Sequence, residues 1–84
     1  MYITLKLYAG LTEHLPTGTD KHAVQVNVPA DATVNNVIDL FKVPRAMAHL
    51  VLLNGVYLHP EERDQYAKLK DSDVLAIWPP VAGG

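Results

Sequence analysis

The chain has 84 residues, 49% of them hydrophobic, which is enough for one small domain with a single core and too little for two. Seven basic residues against nine acidic ones leave a formal charge of −2, and every lysine and arginine stands alone, so there is no basic stripe for nucleic acid and no polybasic patch for a membrane. Cysteine is absent, which excludes disulfides, thiolate catalysis and cysteine-held zinc or iron–sulfur centres as properties of this chain; any sulfur it handles comes from elsewhere.

Met1-Tyr2-Ile3-Thr4 opens on a strand pattern instead of a charged and then apolar leader, and the longest apolar run, Leu50 to Leu53, is far too short to span a bilayer. A cytoplasmic location is expected. Tyr2 to Ala9 alternates, with Ile3, Leu5 and Leu7 on one side and Thr4, Lys6 and Tyr8 on the other, which predicts a half-buried first strand. The breakers Gly10, Pro16 and Gly18 follow, and Val24, Val26 and Val28 resume the alternation around Gln25 and Asn27, predicting an antiparallel partner.

Pro29-Ala30-Asp31-Ala32 ends that strand, and the Thr33 hydroxyl is placed to cap a helix. Val34, Val37, Ile38 and Phe41 lie on one helical face, which suits a helix covering a sheet. It should stop near Lys42 or Val43, because Pro44 disfavours helical geometry in the residue before it. His49 to Asn54 predicts a buried strand, and Asn54-Gly55 a two-residue hairpin into Val56, Tyr57 and Leu58. Pro60 to Lys70 reads as a polar loop with room for one helical turn, and Asp71-Ser72-Asp73 as a turn. Val74 to Trp78 forms a last strand, ended by Pro79 and Pro80, which lack amide hydrogens.

The order is ββαβββ, or ββαββ if Val56 to Leu58 is only a hairpin arm. Strands divided by one helix indicate an α+β fold, and the right-handed crossover rule sets the final strand parallel to and beside the first. The expected fold is a β-grasp, ubiquitin-like roll, a mixed sheet of four to five strands covered by one main helix. Residues 1–78 would form the domain and 79–84 a flexible, extended tail ending in Gly-Gly.

The segment from Leu69 through Lys70-Asp71-Ser72-Asp73-Val74 and on through Trp78-Pro79-Pro80-Val81-Ala82-Gly83-Gly84 closely resembles the terminal pattern of the ubiquitin-like sulfur carriers. That family includes the small subunit of molybdopterin synthase and the thiamine sulfur carrier. Leu7-Tyr8-Ala9-Gly10-Leu11-Thr12-Glu13 and Leu53-Asn54-Gly55 are similar to two further family segments, with Thr12 where the family has Arg and Ser72 where it has Gly. The Pro79-Pro80 pair leans toward the molybdopterin type. The resemblance implies that the Gly84 carboxylate is adenylated by a ubiquitin-activating-type partner using ATP. A persulfide protein or sulfide then converts it to a thiocarboxylate, which donates sulfur in molybdopterin biosynthesis, with the large subunit of molybdopterin synthase a further partner. A thiamine or amino-acid sulfur carrier, and a protein modifier joined through Gly84 to lysines, share the same tail and stay open.

The residue types suit that chemistry. A terminal carboxylate is a poor acyl donor until its oxygen is made part of a good leaving group. The chain has neither Gly-x-x-x-x-Gly-Lys nor Gly-x-Gly-x-x-Gly, so no cofactor is expected to bind it and the nucleotide site falls to a partner. Pro79 and Pro80 stiffen the exit from the last strand, and the stretch through Val81, Ala82 and Gly83 to Gly84 can extend on the order of 20 Å into a channel. Glycines at the tip have no Cβ and fit where other residues do not.

Tyr8 and Trp78 are candidate interface anchors near the root of the tail, although Trp78 could equally plug the end of the core. His14, His22, His49 and His59 have no i, i+3 or i, i+4 spacing and fall in different elements, so no metal site is expected. Glu61, Glu62, Arg63 and Asp64 read as a solvated loop.

Overall fold

A computed structural model describes residues 1–16 and 22–80. Five strands form one mixed sheet in the order β2-β1-β5-β3-β4. β1 is Tyr2–Leu7, β2 Ala23–Asn27, β3 Leu50–Leu53, β4 Val56–Tyr57 and β5 Val74–Trp78; α1, the one α-helix among the described residues, is Val34–Leu40. β1 and β2 are antiparallel, and β5 runs parallel to β1 with Leu5 opposite Leu75 and Leu7 opposite Ile77. On its other side β5 is antiparallel to β3, with Val51 opposite Ile77. This is the expected β-grasp roll with all five strands present.

Alternation decides what each strand buries. Ile3, Leu5, Leu7, Val26, Val51, Leu53, Leu75 and Ile77 face the helix and join Val34, Val37 and Ile38 in one core. Thr33 caps α1 as expected: its hydroxyl accepts from the Asn36 amide at 3.1 Å, and the Asn36 side chain accepts from the Thr33 amide at 2.9 Å. The helix ends at Leu40, earlier than Pro44 alone suggests. Lys42 turns left-handed at φ 60°, its amide donates to Asp39 and the Val43 amide donates to Ile38, which closes the last turn with Val43 and Ile38 both in the core.

The end of β1 and the burial of β3 also differ from the sequence reading, whereas the turn at Pro60–Glu62 is the one for which the polar loop had room. β1 stops at Leu7 because Ala9 takes φ 53° and opens a 3₁₀ turn over Ala9–His14, where Leu11 is buried and the Thr12 hydroxyl donates to the Ala9 carbonyl. β3 is half-buried, since Leu50 and Leu52 point to the face that no helix covers. Short 3₁₀ turns occupy Arg45–Met47 and Pro60–Glu62.

The hairpin after β3 is the two-residue type, with Leu53 paired to Val56 and Asn54 and Gly55 at φ 51° and 83°. Asn54 does more than turn the chain. Its side-chain amide donates to Asp73 Oδ1 at 2.9 Å, while its side-chain oxygen accepts from the Val74 amide at 2.8 Å. Asp73 Oδ2 accepts from the Lys70 amide, and the Ser72 amide donates to the Tyr2 carbonyl at 2.7 Å. The Asn-Gly hairpin and the Asp-Ser-Asp turn, far apart in sequence, thus lock the start of β5 between β1 and β3.

Ser72 holds φ 71°, which costs a residue with a Cβ about 1–2 kcal/mol, against about 0.5–1 kcal/mol that glycine loses by ordering a freer chain. Ser72→Gly is therefore expected to stabilise the fold by about 0.5–1 kcal/mol. Urea unfolding checks it through a higher midpoint at unchanged slope.

Candidate functional site

The root of the tail is the far end of β5. From Val74, where the lock holds it, the strand advances four residues to Trp78, about 13 Å at ~3.3 Å per residue. The last backbone bonds at this end are the Tyr8 amide to Ile77 and the His49 amide to Trp78, each 3.1 Å. Beyond them Pro79 is half-buried and Pro80 exposed, neither able to donate to a ladder. Val81, Ala82, Gly83 and Gly84 lie outside the described residues.

Parity within β5 places Trp78. Leu75 and Ile77 enter the core, so Ala76 and Trp78 project from the opposite face, and Trp78 does not plug the core. It lies flat on Tyr8, with ring centroids 4.2 Å apart and planes 1° apart. The other side of Tyr8 carries the His22 ring at 4.4 Å and 32°. Tyr8 is set there by the 3₁₀ turn that begins at Ala9, so the left-handed Ala9 aims the ring across β5.

The register extends this stack into an apolar surface. Leu50 pairs with Trp78, Leu52 with Ala76 and Tyr57 with Leu52, all on the open face, and Lys6 lies beside Ala76 from β1. Leu50 and Tyr57 are exposed, at 37% and 41%. Sequence reading named Tyr8 and Trp78 but missed Leu50, Leu52 and Tyr57, because a short apolar run does not reveal which of its faces will be covered. The two named residues stack on one another, and Pro79 and Pro80 follow directly from the patch they begin.

The histidines are scattered in role. His22 stacks on Tyr8, the His59 ring stands edge-on to Tyr57 at 4.9 Å, and His14 lies 3.7 Å from Glu13. Bidentate hydrogen bonding from Arg45, at 3.1 and 2.7 Å, holds the Asp39 carboxyl below its ordinary value and raises Arg45 in return. Lys68, with the His59 amide, lowers Glu62. A lowered carboxylate favours the fold above its unfolded pKa and loses that contribution as pH falls through the folded value, but both pairs are at the surface, where screening keeps the contribution small. Each displacement is explained by an exposed ion pair and points to no acid or base poised for catalysis.

The sequence model of the ThiS family matches residues 9–84. The chain belongs to the ThiS family. No curated protein matches it in sequence. Among solved structures, SAMP1 from Haloferax volcanii is 28% identical with a TM-score of 0.65, the match covering 100% of both chains. The Haloferax volcanii HVO 2177 protein is 25% identical with a TM-score of 0.71, over 100% of this chain and 87% of that one. A chain of the complex of subunits 1 and 2 of molybdopterin-converting factor from Helicobacter pylori 26695 is 16% identical with a TM-score of 0.58, over 100% of both, a likeness of fold. Among the described residues no helix is long and apolar enough to cross a membrane.

Proposed function

We propose that the chain is a sulfur carrier for molybdopterin biosynthesis, working through the carboxylate of Gly84. The observation that carries this reading is the family match, which begins just after β1, spans the other four strands and the helix, and runs through the Gly83-Gly84 end. A Gly84 oxygen attacks the α-phosphorus of ATP in a partner's site and pyrophosphate leaves. The terminal sulfur of a persulfide donor then attacks the acyl carbon and AMP leaves, and a thiol cleaves the resulting acyl disulfide to free the thiocarboxylate. Two steps replace one difficult substitution, and the nucleotide-binding groups belong to the partner. The chain itself supplies a substrate end and the surface that presents it.

The patch around Trp78 suits the docking of that partner and of a large subunit that accepts the sulfur, because aromatic and apolar anchors at the root of the tail fix where its tip reaches. Leu50→Glu puts a charge at the centre of that patch. It is expected to raise the KM for the adenylating enzyme by roughly tenfold or more while shifting stability by less than about 0.5 kcal/mol. Steady-state adenylation kinetics beside a melting curve would check both.

The test of function is the intact mass of the chain after incubation with a cognate adenylating enzyme, ATP and a sulfur donor. Replacement of one oxygen by sulfur is expected. An unchanged mass, with the enzyme active on another carrier, would remove the reading. A second reading, a protein modifier, is favoured by the end-to-end likeness to Haloferax volcanii small archaeal modifier protein 1, 26–28% identical in two crystal structures. Conjugates of higher mass in a cell extract, lost on deleting Gly84, would support it.

A further inference from the structure

Arg63 was expected in a solvated loop, but only 7% of it is exposed. Its guanidinium donates to three backbone carbonyls: Leu58 from Nε at 3.2 Å and Nη2 at 3.0 Å, Ala48 from Nη1 at 2.9 Å, and His49 from Nη2 at 3.5 Å. These acceptors are neutral, and among the described residues no carboxylate lies within ion-pair distance of it. A buried cation is ordinarily balanced by an anion, and the described residues leave this positive charge unmatched.

The charge faces a cavity of about 400 Å³, in the range of small-molecule sites, lined by Arg63, Asn35, His49, Arg45, Tyr57 and Pro60 among others. Among the described residues no acidic one lines it, although the chain as a whole is net negative. Arg45 adds little net charge, because Asp39 pairs with two of its nitrogens. Asn35 supplies the second observation. It is 92% buried at the start of α1, and its side-chain amide takes no hydrogen bond from the described residues. No polar side-chain atom is sealed away without a partner among those residues, so the Asn35 amide opens to the cavity instead of being entombed.

We infer that this cavity binds a small carboxylic acid. The second Nη1 hydrogen of Arg63 and the Asn35 amide offer a carboxylate two donors from the lining of one cavity, and Tyr57 and Pro60 supply apolar surface for a short, flat stem. A single unmatched positive charge suits a monoanion better than a phosphate dianion. The site uses none of the residues assigned to the tail and does not depend on the sulfur-carrier reading.

Titration of the ¹⁵N-labelled full chain with sodium benzoate, against sodium chloride at equal ionic strength, tests it. Saturable shifts confined to the Asn35 side chain, Ala48, His49 and the Arg63 Nε–H group are expected. Asn35→Leu should weaken binding roughly tenfold, one amide hydrogen bond to a charged group being lost without touching the bonds of Arg63. Non-saturating shifts, equal shifts with chloride, or unchanged affinity in Asn35→Leu would overturn the site. Tighter binding of inorganic phosphate would overturn the carboxylate assignment, and tighter binding of a capped peptide with one glutamate would overturn the small-molecule one.

Discussion

Deleting Gly84 is expected to abolish conversion of the chain end to a thiocarboxylate while leaving the melting temperature where it is. The deletion keeps a terminal carboxylate but withdraws it by about 3.5 Å, one extended residue. A misplacement of only about 1 Å can cost roughly a hundredfold in rate, so the loss should exceed that. Gly84→Ala keeps the length and adds a Cβ, which a channel shaped for glycine would reject; a similar loss is expected, with stability changed by no more than about 0.5 kcal/mol. Intact-mass measurement of product, beside a thermal melt of each variant, reads both quantities. A shifted melt would mean that the end of the chain contributes to the fold, and full conversion of either variant would remove the delivery role from Gly84.

Arg63→Met is expected to have the largest effect on stability, about 3 kcal/mol. Methionine can fill the path of the arginine stem, but it leaves the Ala48, His49 and Leu58 carbonyls without their donor. The carbonyls belong to the approach to β3 and the exit of β4, and Arg63 to the loop before β5, so one side chain ties together three stretches with little regular structure. Unmade bonds to buried carbonyls cost about 1–3 kcal/mol each, offset in part by relief of a buried charge. For a chain of this size the loss is a large share of a total of about 4–12 kcal/mol. Urea unfolding should show a lower midpoint at unchanged slope. Arg63→Lys should recover less than half of the loss, since an ammonium cannot reproduce the planar fork. Equal stability of all three proteins would show that the carbonyls find water instead.

Much of the fold was legible because local chemistry and tertiary structure agree. Ile3, Leu5 and Leu7 alternate and are buried; Thr33 precedes an apolar face and caps it; Asn54-Gly55 demands left-handed residues and adopts them. Where no such residue marks a turn, the reading failed. Ala9 and Lys42 take left-handed geometry without being glycine or asparagine, because Leu11 and Val43 gain burial by it, and the ends of β1 and α1 moved accordingly. Arg63 was unreadable for a different reason: its acceptors come from separate segments, and only their convergence makes burial of the charge tolerable.

The amino-acid sequence by itself determined the strand and helix periods, the parallel placement of the last strand beside the first, and the resemblance to a family whose model matches residues 9–84, since each depends on residue types over short spacings or on the handedness of a crossover. Only the tertiary structure decided which face of the sheet stays open. With one helix to cover five strands, Leu50, Leu52, Tyr57, Trp78 and Tyr8 share the uncovered side, and strand register, which pairs residues distant in sequence, gathers them at the root of the tail. The same pairing of distant segments made the cavity beside Arg63, where neutral carbonyls shelter a cation and leave its charge to be matched from outside.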